Sequence, residues 1–235
     1  MIPEKYKVFS GSALKLIAVI TMIIDHTASA LIPQDGYVLL SLFGHRLTLY
    51  ALMRAIGRLS FPLFGFLIVE GFIHTRDRKR YGISLFLLAL ISEIPWNLRH
   101  TGKLTCSTQN VMFTLLLGFL GLCVMEIYSE QKKTQLVLML ALLVISLVIK
   151  ADYGVRGFGF ILMFYLLREY RIAQTVVGVC ILSGTWRAGL AFVPINLYNG
   201  KRGFINNRVL KYIFYAIYPA HLLVLYVIRK YIIVL

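Results

Sequence analysis

The chain has 235 residues, 59% of them hydrophobic and only 15% charged, with a formal net charge of +15 and a mean hydropathy of +0.76. Soluble domains run at about 45–50% apolar and about 25% charged residues, so the composition indicates a polytopic membrane protein. The basic residues gather in short stretches between apolar runs, which is the pattern of cytoplasmic membrane loops rather than of nucleic-acid binding.

A membrane-crossing helix needs about 20 mostly apolar residues. Candidate spans in chain order are 13–32, 53–74, 81–98, 109–128, 134–150, 156–170, 172–185, 188–200 and 210–230. The expected fold is all-α, a single integral membrane domain of about nine transmembrane helices, with eight and ten left open. The first stretch reads as a retained span, because no small-residue cleavage pattern follows it. Residues 37–52 are less apolar, are broken by Gly44-His45-Arg46, and are expected to form an interfacial helix. Ser183-Gly184-Thr185-Trp186-Arg187 marks a turn between the seventh and eighth spans. With the N-terminus inside, nine spans put the densest basic clusters, 76–80 and 201–211, on the cytoplasmic side. Of the three cysteines, Cys123 and Cys180 lie within apolar runs, and Cys106 lies in a connecting stretch with no obvious partner. None has metal-ligand spacing, and no zinc motif, P-loop or dinucleotide fingerprint is present.

Polar residues inside the spans carry the functional information, since a charge near the bilayer centre costs at least ~2.5–3.5 kcal/mol. Asp25 and His26 lie in the first span, Arg54 and Arg58 at the start of the second, Glu93 and Asn97 at the end of the third, and Gln109 and Asn110 at the start of the fourth. In the nine-span topology all of these fall at one outer level, as do Asp152, Tyr153 and Arg156. Residues four apart share a helix face, so Arg54 joins Arg58, Glu93 joins Asn97, and Thr21, Asp25 and Ser29 form a stripe. His26 is turned about 100° from Asp25. The two are therefore not expected to act on one atom: Asp25 is expected to pair with Arg54 or Arg58, and His26 to face a cavity. Glu70 and His74 form a second i,i+4 pair, and Tyr218-Pro219 and His221 lie near mid-depth in the last span. Each placement has a structural counterpart: an Asp25–arginine pair also locks helices, and Glu93 and Asn97 also suit helix capping.

A histidine among arginine and amide groups suits acyl transfer without a covalent enzyme intermediate. The imidazole takes the proton of an attacking amine or hydroxyl, and arginine, asparagine or glutamine donors stabilise the oxyanion. No Gly-x-Ser-x-Gly elbow is present. The competing readings are a small proton- or ion-coupled transporter using Asp25, His26, Glu70 and Glu93, and a structural assembly partner held by buried ion pairs. No inverted repeat favours transport.

Several stretches, in order along nearly the whole chain, carry a family resemblance. They are Lys15-Leu-Ile-Ala-Val-Ile-Thr-Met-Ile-Ile-Asp-His26, Gly57-Arg-Leu-Ser-Phe-Pro62, Val69-Glu-Gly-Phe72, Ser92-Glu-Ile-Pro-Trp-Asn97, Gln109-Asn-Val-Met-Phe-Thr114, Asp152-Tyr-Gly154, Tyr198-Asn-Gly-Lys-Arg-Gly203 and Tyr218-Pro-Ala-His221. The chain resembles the TraX family of membrane proteins, named for the acetylase that caps the N-terminus of conjugative pilin. The resemblance implies transfer of an acetyl group from acetyl-CoA, a co-substrate rather than a tightly bound cofactor, to an amino group. It also suggests a distant relation to multi-span acyltransferases that acetylate across a membrane using a histidine. His26, Asp25, Arg58, Glu93 and Asn97 are then the candidate catalytic set. Arg54, Gln109, Asn110, Tyr218, His221, Lys201 and Arg202 are the candidate set for the acyl-CoA, with its phosphates at Arg76–Arg80 or Lys201-Arg202, whose field attracts anions. No metal is expected. The implied setting is a bacterial plasma membrane, and the implied acceptor is an extracytoplasmic peptide N-terminus, glycan or lipid-linked sugar. The topology predicts that a cysteine placed at position 78 is labelled by a thiol reagent only when the reagent reaches the cytoplasm; labelling from outside would overturn the orientation.

Overall fold

The structure, a computed structural model, describes residues 3–42 and 45–232. Its elements are α1 (Gly11–Leu31), β1 (Val38–Leu42), β2 (His45–Thr48), α2 (Leu49–Gly57), α3 (Ser60–His74), α4 (Arg78–Thr101), α5 (Val111–Ile127), α6 (Lys132–Val148), α7 (Gly154–Leu166), α8 (Arg171–Ile181), a 3-10 stretch (Ser183–Ala191), α9 (Phe192–Asn196) and α10 (Arg208–Tyr231). Four helical stretches are long and apolar enough to cross a membrane: Gly11–Leu31, Leu49–His74, Arg78–Thr101 and Arg208–Tyr231. At 1.5 Å per residue the 21 residues of α1 span about 31 Å, close to the ~30 Å hydrocarbon core of a bilayer. Shorter apolar helices occupy Val111–Ile127, Gly154–Leu166 and Arg171–Ile181. The helical class is thus observed.

Two expectations about elements are corrected. Strands β1 and β2 pair antiparallel, with Leu40 opposite Leu47 and Ser41 opposite Arg46, where an interfacial helix was expected. The local reason is at the exit of β2. Thr48 is extended, and its hydroxyl accepts the amide of Ala51, so the chain enters a helix only at Leu49. Gly44, the expected helix breaker, lies outside the described residues. The expected eighth span, 188–200, is not a continuous α-helix. It is 3-10 to Ala191, followed by the five residues of α9; Gly184 and Gly189 both weaken the α-helix there. The second span is continuous in sequence but broken between α2 and α3. Pro62 has no N–H to give the Arg58 carbonyl and its ring crowds that carbonyl, and the break falls at Arg58 and Leu59.

The chain divides into two compact units, 1–64 with 182–235, and 65–181. In the first, α1 packs on α2 and on α10. Its N-terminus is held by the Tyr198–Gly203 stretch. The Gly11 and Ser12 amides donate to the carbonyls of Lys201 (2.8 Å) and Arg202 (2.9 Å), and Phe9 pairs with Tyr198 in a short parallel bridge. The Ser12 hydroxyl donates to the Arg202 carbonyl (2.7 Å) and accepts the Ile205 amide (2.7 Å). Amides that a helix start leaves without intrahelical partners are thereby satisfied. In the second unit, Phe66, Phe72, Phe119, Phe160 and Phe164 are fully buried and meet edge to face, as in Phe160–Phe164 at 4.8 Å between centroids. A side chain at Gly118 would strike Ile161, and one at Gly121 would press on Phe158 and Leu162. Small residues here let α5 and α7 approach closely, the usual device of membrane helix pairs.

Outward faces stay apolar. Ile83, Phe86, Leu87, Leu90, Ile91 and Ile94 are exposed along α4, as are Leu136, Val137, Leu140, Val144, Leu147 and Val148 along α6. Soluble monomers do not carry apolar patches of that extent; in a bilayer they face lipid. Gly203 has φ 83°, and a side chain there would meet the Ser10 and Ser12 side chains. Gly203→Ala is expected to cost about 1–2 kcal/mol from the left-handed backbone alone, read as a lower thermal midpoint in detergent, whereas Gly200→Ala, with open space around it, shares the backbone cost without the collision.

Candidate functional site

The polar residues of the first unit meet around the middle and far half of α1. Thr21 bonds back to the Ile17 (2.8 Å) and Ala18 (3.1 Å) carbonyls, and Ser29 to the His26 carbonyl (3.2 Å). Asp25 points across to α2, where its Oδ2 takes the Arg54 guanidinium in an ion pair. Of the two arginines expected as partners, Arg54 is the one used; Arg58 forms the C-terminal cap of α2. Gly57 makes the approach possible, because a side chain at that position would fall on the Asp25 carboxylate. The pair is mostly shielded, with side-chain exposures of 25% for Arg54 and 16% for Asp25.

His26, one residue on, faces a different helix. Its Nδ1 lies 2.6 Å from Nε2 of His221 on α10, and the two ring planes are within 3° of parallel. A 2.6 Å contact is closer than stacked rings can come, so the nitrogens meet in the ring planes, where an imidazole N–H and lone pair point. The Nδ1 of His221 lies 2.8 Å from the Ile217 carbonyl one turn earlier. The buried Tyr218 ring flanks both imidazoles, 6.5 Å from His26 and 5.7 Å from His221 between centroids. Pro219 interrupts the hydrogen-bond ladder of α10 in the same turn. The sequence put His26 at the outer level and His221 near mid-depth, and gave no reason to join them, since they are 195 residues apart.

The second unit holds its own polar set. Asn110 is completely buried. Its Oδ1 accepts the Met112 amide at the start of α5, while its Nδ2 donates to the Ala89 carbonyl (2.9 Å) and to Glu93 Oε2 (2.6 Å). Asn97 Nδ2 donates to the Leu104 carbonyl (2.8 Å) and Trp96 Nε1 to the Thr108 carbonyl (3.0 Å). Gln109 forms a bridge to Ala151 through backbone bonds, and the Thr114 hydroxyl donates to the Asp152 carbonyl. These residues tie the turn between α4 and α5 to the start of α7, which is the capping role weighed for Glu93 and Asn97. Glu93 Oε1 and Asn97 Oδ1 are buried and accept no hydrogen bond among the described residues. Cys106 does have a partner, the Thr108 hydroxyl at 3.5 Å, and that contact holds the thiol below its ordinary pKa.

The basic residues divide in use. Arg78 pairs with Glu126 (2.6 Å) and lies over the Phe72 ring, so it serves packing as well as topology. Glu70 and His74 share a face, with His74 Nδ1 2.9 Å from the Glu70 carbonyl and 3.7 Å from its carboxylate. Lys201 and Arg202 cap α1 through their carbonyls and leave their side chains exposed. Lys15, one turn into α1, is largely buried and lies within electrostatic reach of Arg202 and of Lys211; the capping loop brings Arg202 there, a grouping the sequence did not assemble. Among the described residues, no three of His, Cys, Asp and Glu form a set that could hold a metal ion.

By length and composition, a helical chain with four such apolar helices falls in the class of integral membrane proteins. More narrowly, the chain belongs to the TraX family: residues 10–229 match the family described as TraX protein. It is also similar to a protein of Dichelobacter nodosus named "Probable fimbrial assembly protein FimC, serogroup H1", 26% identical over 246 residues that cover 92% of this chain and 94% of the relative. No solved structure matches it.

Removing one partner of a shielded ion pair leaves an uncompensated charge and costs about 3–5 kcal/mol, whereas replacing both can be nearly neutral. Arg54→Met is therefore expected to lower the thermal midpoint in detergent more than the double variant Asp25→Asn with Arg54→Met; equal losses would show that the pair is not coupled.

Proposed function

We propose that this TraX-family protein is a membrane-embedded acyltransferase that moves an acetyl group from cytoplasmic acetyl-CoA to an amino group presented on the far side of the membrane. The observation that carries the reading is the oriented His26 imidazole, held by His221 beside the Asp25–Arg54 pair in helices of membrane length. An imidazole fixed at mid-helix in an apolar setting is costly without a role, and histidine is the side chain most often used for general acid–base proton transfer.

In the proposed reaction the acceptor nitrogen attacks the thioester carbonyl carbon. A C–N bond forms, the C–S bond breaks, and His26 takes the amine proton and passes it to the departing thiolate. Arg58 makes no ion pair with another described residue and is the guanidinium assigned to stabilise the oxyanion in this reading. The cluster of Lys15, Arg202 and Lys211, with exposed Lys201 beside it, has the charge to attract the CoA phosphates. Glu93, Asn97, Gln109 and Asn110 support the fold of the second unit in this reading. The shorter apolar helices α5, α7 and α8 also enter the bilayer. The name of the Dichelobacter nodosus relative adds a fimbrial subunit to the acceptors, beside other extracytoplasmic peptides, glycans and lipid-linked sugars.

Purified protein in detergent, given radiolabelled acetyl-CoA and host envelope extract, is expected to label an acceptor. His26→Ala, with an unchanged thermal midpoint, is expected to lose at least ~100-fold in rate. Full transfer in that variant would remove His26 from the base role. No label from wild type, with proton uptake by reconstituted vesicles, would favour the transporter.

A further inference from the structure

A neutral imidazole carries one proton on two nitrogens, and which nitrogen holds it is set by what the other bonds to. In α10 the Ile217 carbonyl can only accept, and it lies 2.8 Å from Nδ1 of His221; Nδ1 must therefore carry the proton. Nε2 of neutral His221 then bears the lone pair, 2.6 Å from Nδ1 of His26. Two lone pairs at that distance would repel, so Nδ1 of His26 carries its proton as well. The lone pair of His26 is left on Nε2.

We propose that His221 is a positioning residue that sets the tautomer of His26, with the Ile217 carbonyl, His221 and His26 forming one directed proton chain. The chain fixes both the proton and the ring orientation of His26. When His26 gains a second proton at Nε2, its Nδ1–H remains bonded to His221, and the charge that develops is spread toward the Ile217 carbonyl. None of the three groups that form the proton chain is a carboxylate. Asp25, adjacent to His26 in sequence, is engaged by Arg54 on α2. The Tyr218 ring on α10 flanks both imidazoles. The contribution to catalysis rests on the acyltransferase reading; the tautomer does not.

The test uses the full chain in detergent, labelled with nitrogen-15 histidine. Wild-type His26 is expected to give a protonated-type Nδ1 resonance and an unprotonated-type Nε2 resonance at a pH where the imidazole is neutral. In His221→Phe that preference is expected to disappear. In His221→Gln it is expected to persist, because the Gln side-chain oxygen can accept from Nδ1–H. A proton on Nε2 in wild type, or an unchanged His26 pattern in His221→Phe, overturns the proposal whatever the activity. In the acetyl-transfer assay, kcat is expected to fall about 10- to 100-fold in His221→Phe with KM for acetyl-CoA within about twofold, and to recover in His221→Gln. A merely structural role would lower both variants alike through folding, and that result overturns the positioning role. If the tautomer is as stated but His26→Ala retains full transfer, the acyltransferase reading falls and the proton chain stands.

Discussion

The structure of the first unit depends on how α1 manages an aspartate in the middle of an apolar helix. Asp25 is tolerated because Arg54 neutralises it, and Arg54 reaches it because Gly57 lets α2 close against α1. Lipid offers no water to solvate a stray charge, so the charge, its partner and the small residue form one requirement. Once α2 is committed to the Asp25 face, the next residue, His26, is turned by about 100° toward another helix, and α10 supplies His221 there.

The second unit solves a similar problem with neutral groups. Asn110 caps α5 with its oxygen and uses its nitrogen on Ala89 and Glu93, so one buried amide joins α4 to α5. Asn97 and Trp96 bond the connecting turn. Bonded side chains of this kind hold an irregular segment in place where no solvent would satisfy its backbone. The aromatic core and the close approach of α5 and α7 at Gly118 and Gly121 then supply the packing that lipid-driven burial cannot, since lipid tails are as apolar as the side chains.

Several of the motifs that carry the family resemblance turn out to hold the fold. Tyr198–Gly203 caps the start of α1 through backbone bonds, Gly57 admits the Asp25 carboxylate, and Asn110 caps α5. Capping also has an electrostatic result. The loop that supplies the Lys201 and Arg202 carbonyls to α1 brings Arg202 within electrostatic reach of Lys15, so a structural loop adds basic charge at the end of the helix that carries His26.

Membership of the helical membrane class, the placement of nearly every long helix to within a few residues, and the divergence of Asp25 from His26 were legible in the sequence. Each follows from one-dimensional information: apolar length, helical period, and the cost of charge in hydrocarbon. The pairing of β1 with β2 and the 3-10 path through 183–191 were not, because short stretches of mixed polarity are decided by caps and neighbours rather than by period. The choice of Arg54 over Arg58, the joining of His26 to His221 and the gathering of Lys15, Arg202 and Lys211 belong to the tertiary structure alone. Sequence spacing states which residues share a face of one helix; which face of which other helix meets it is settled by packing, where small residues, caps and shielded charges compete for the same few ångströms.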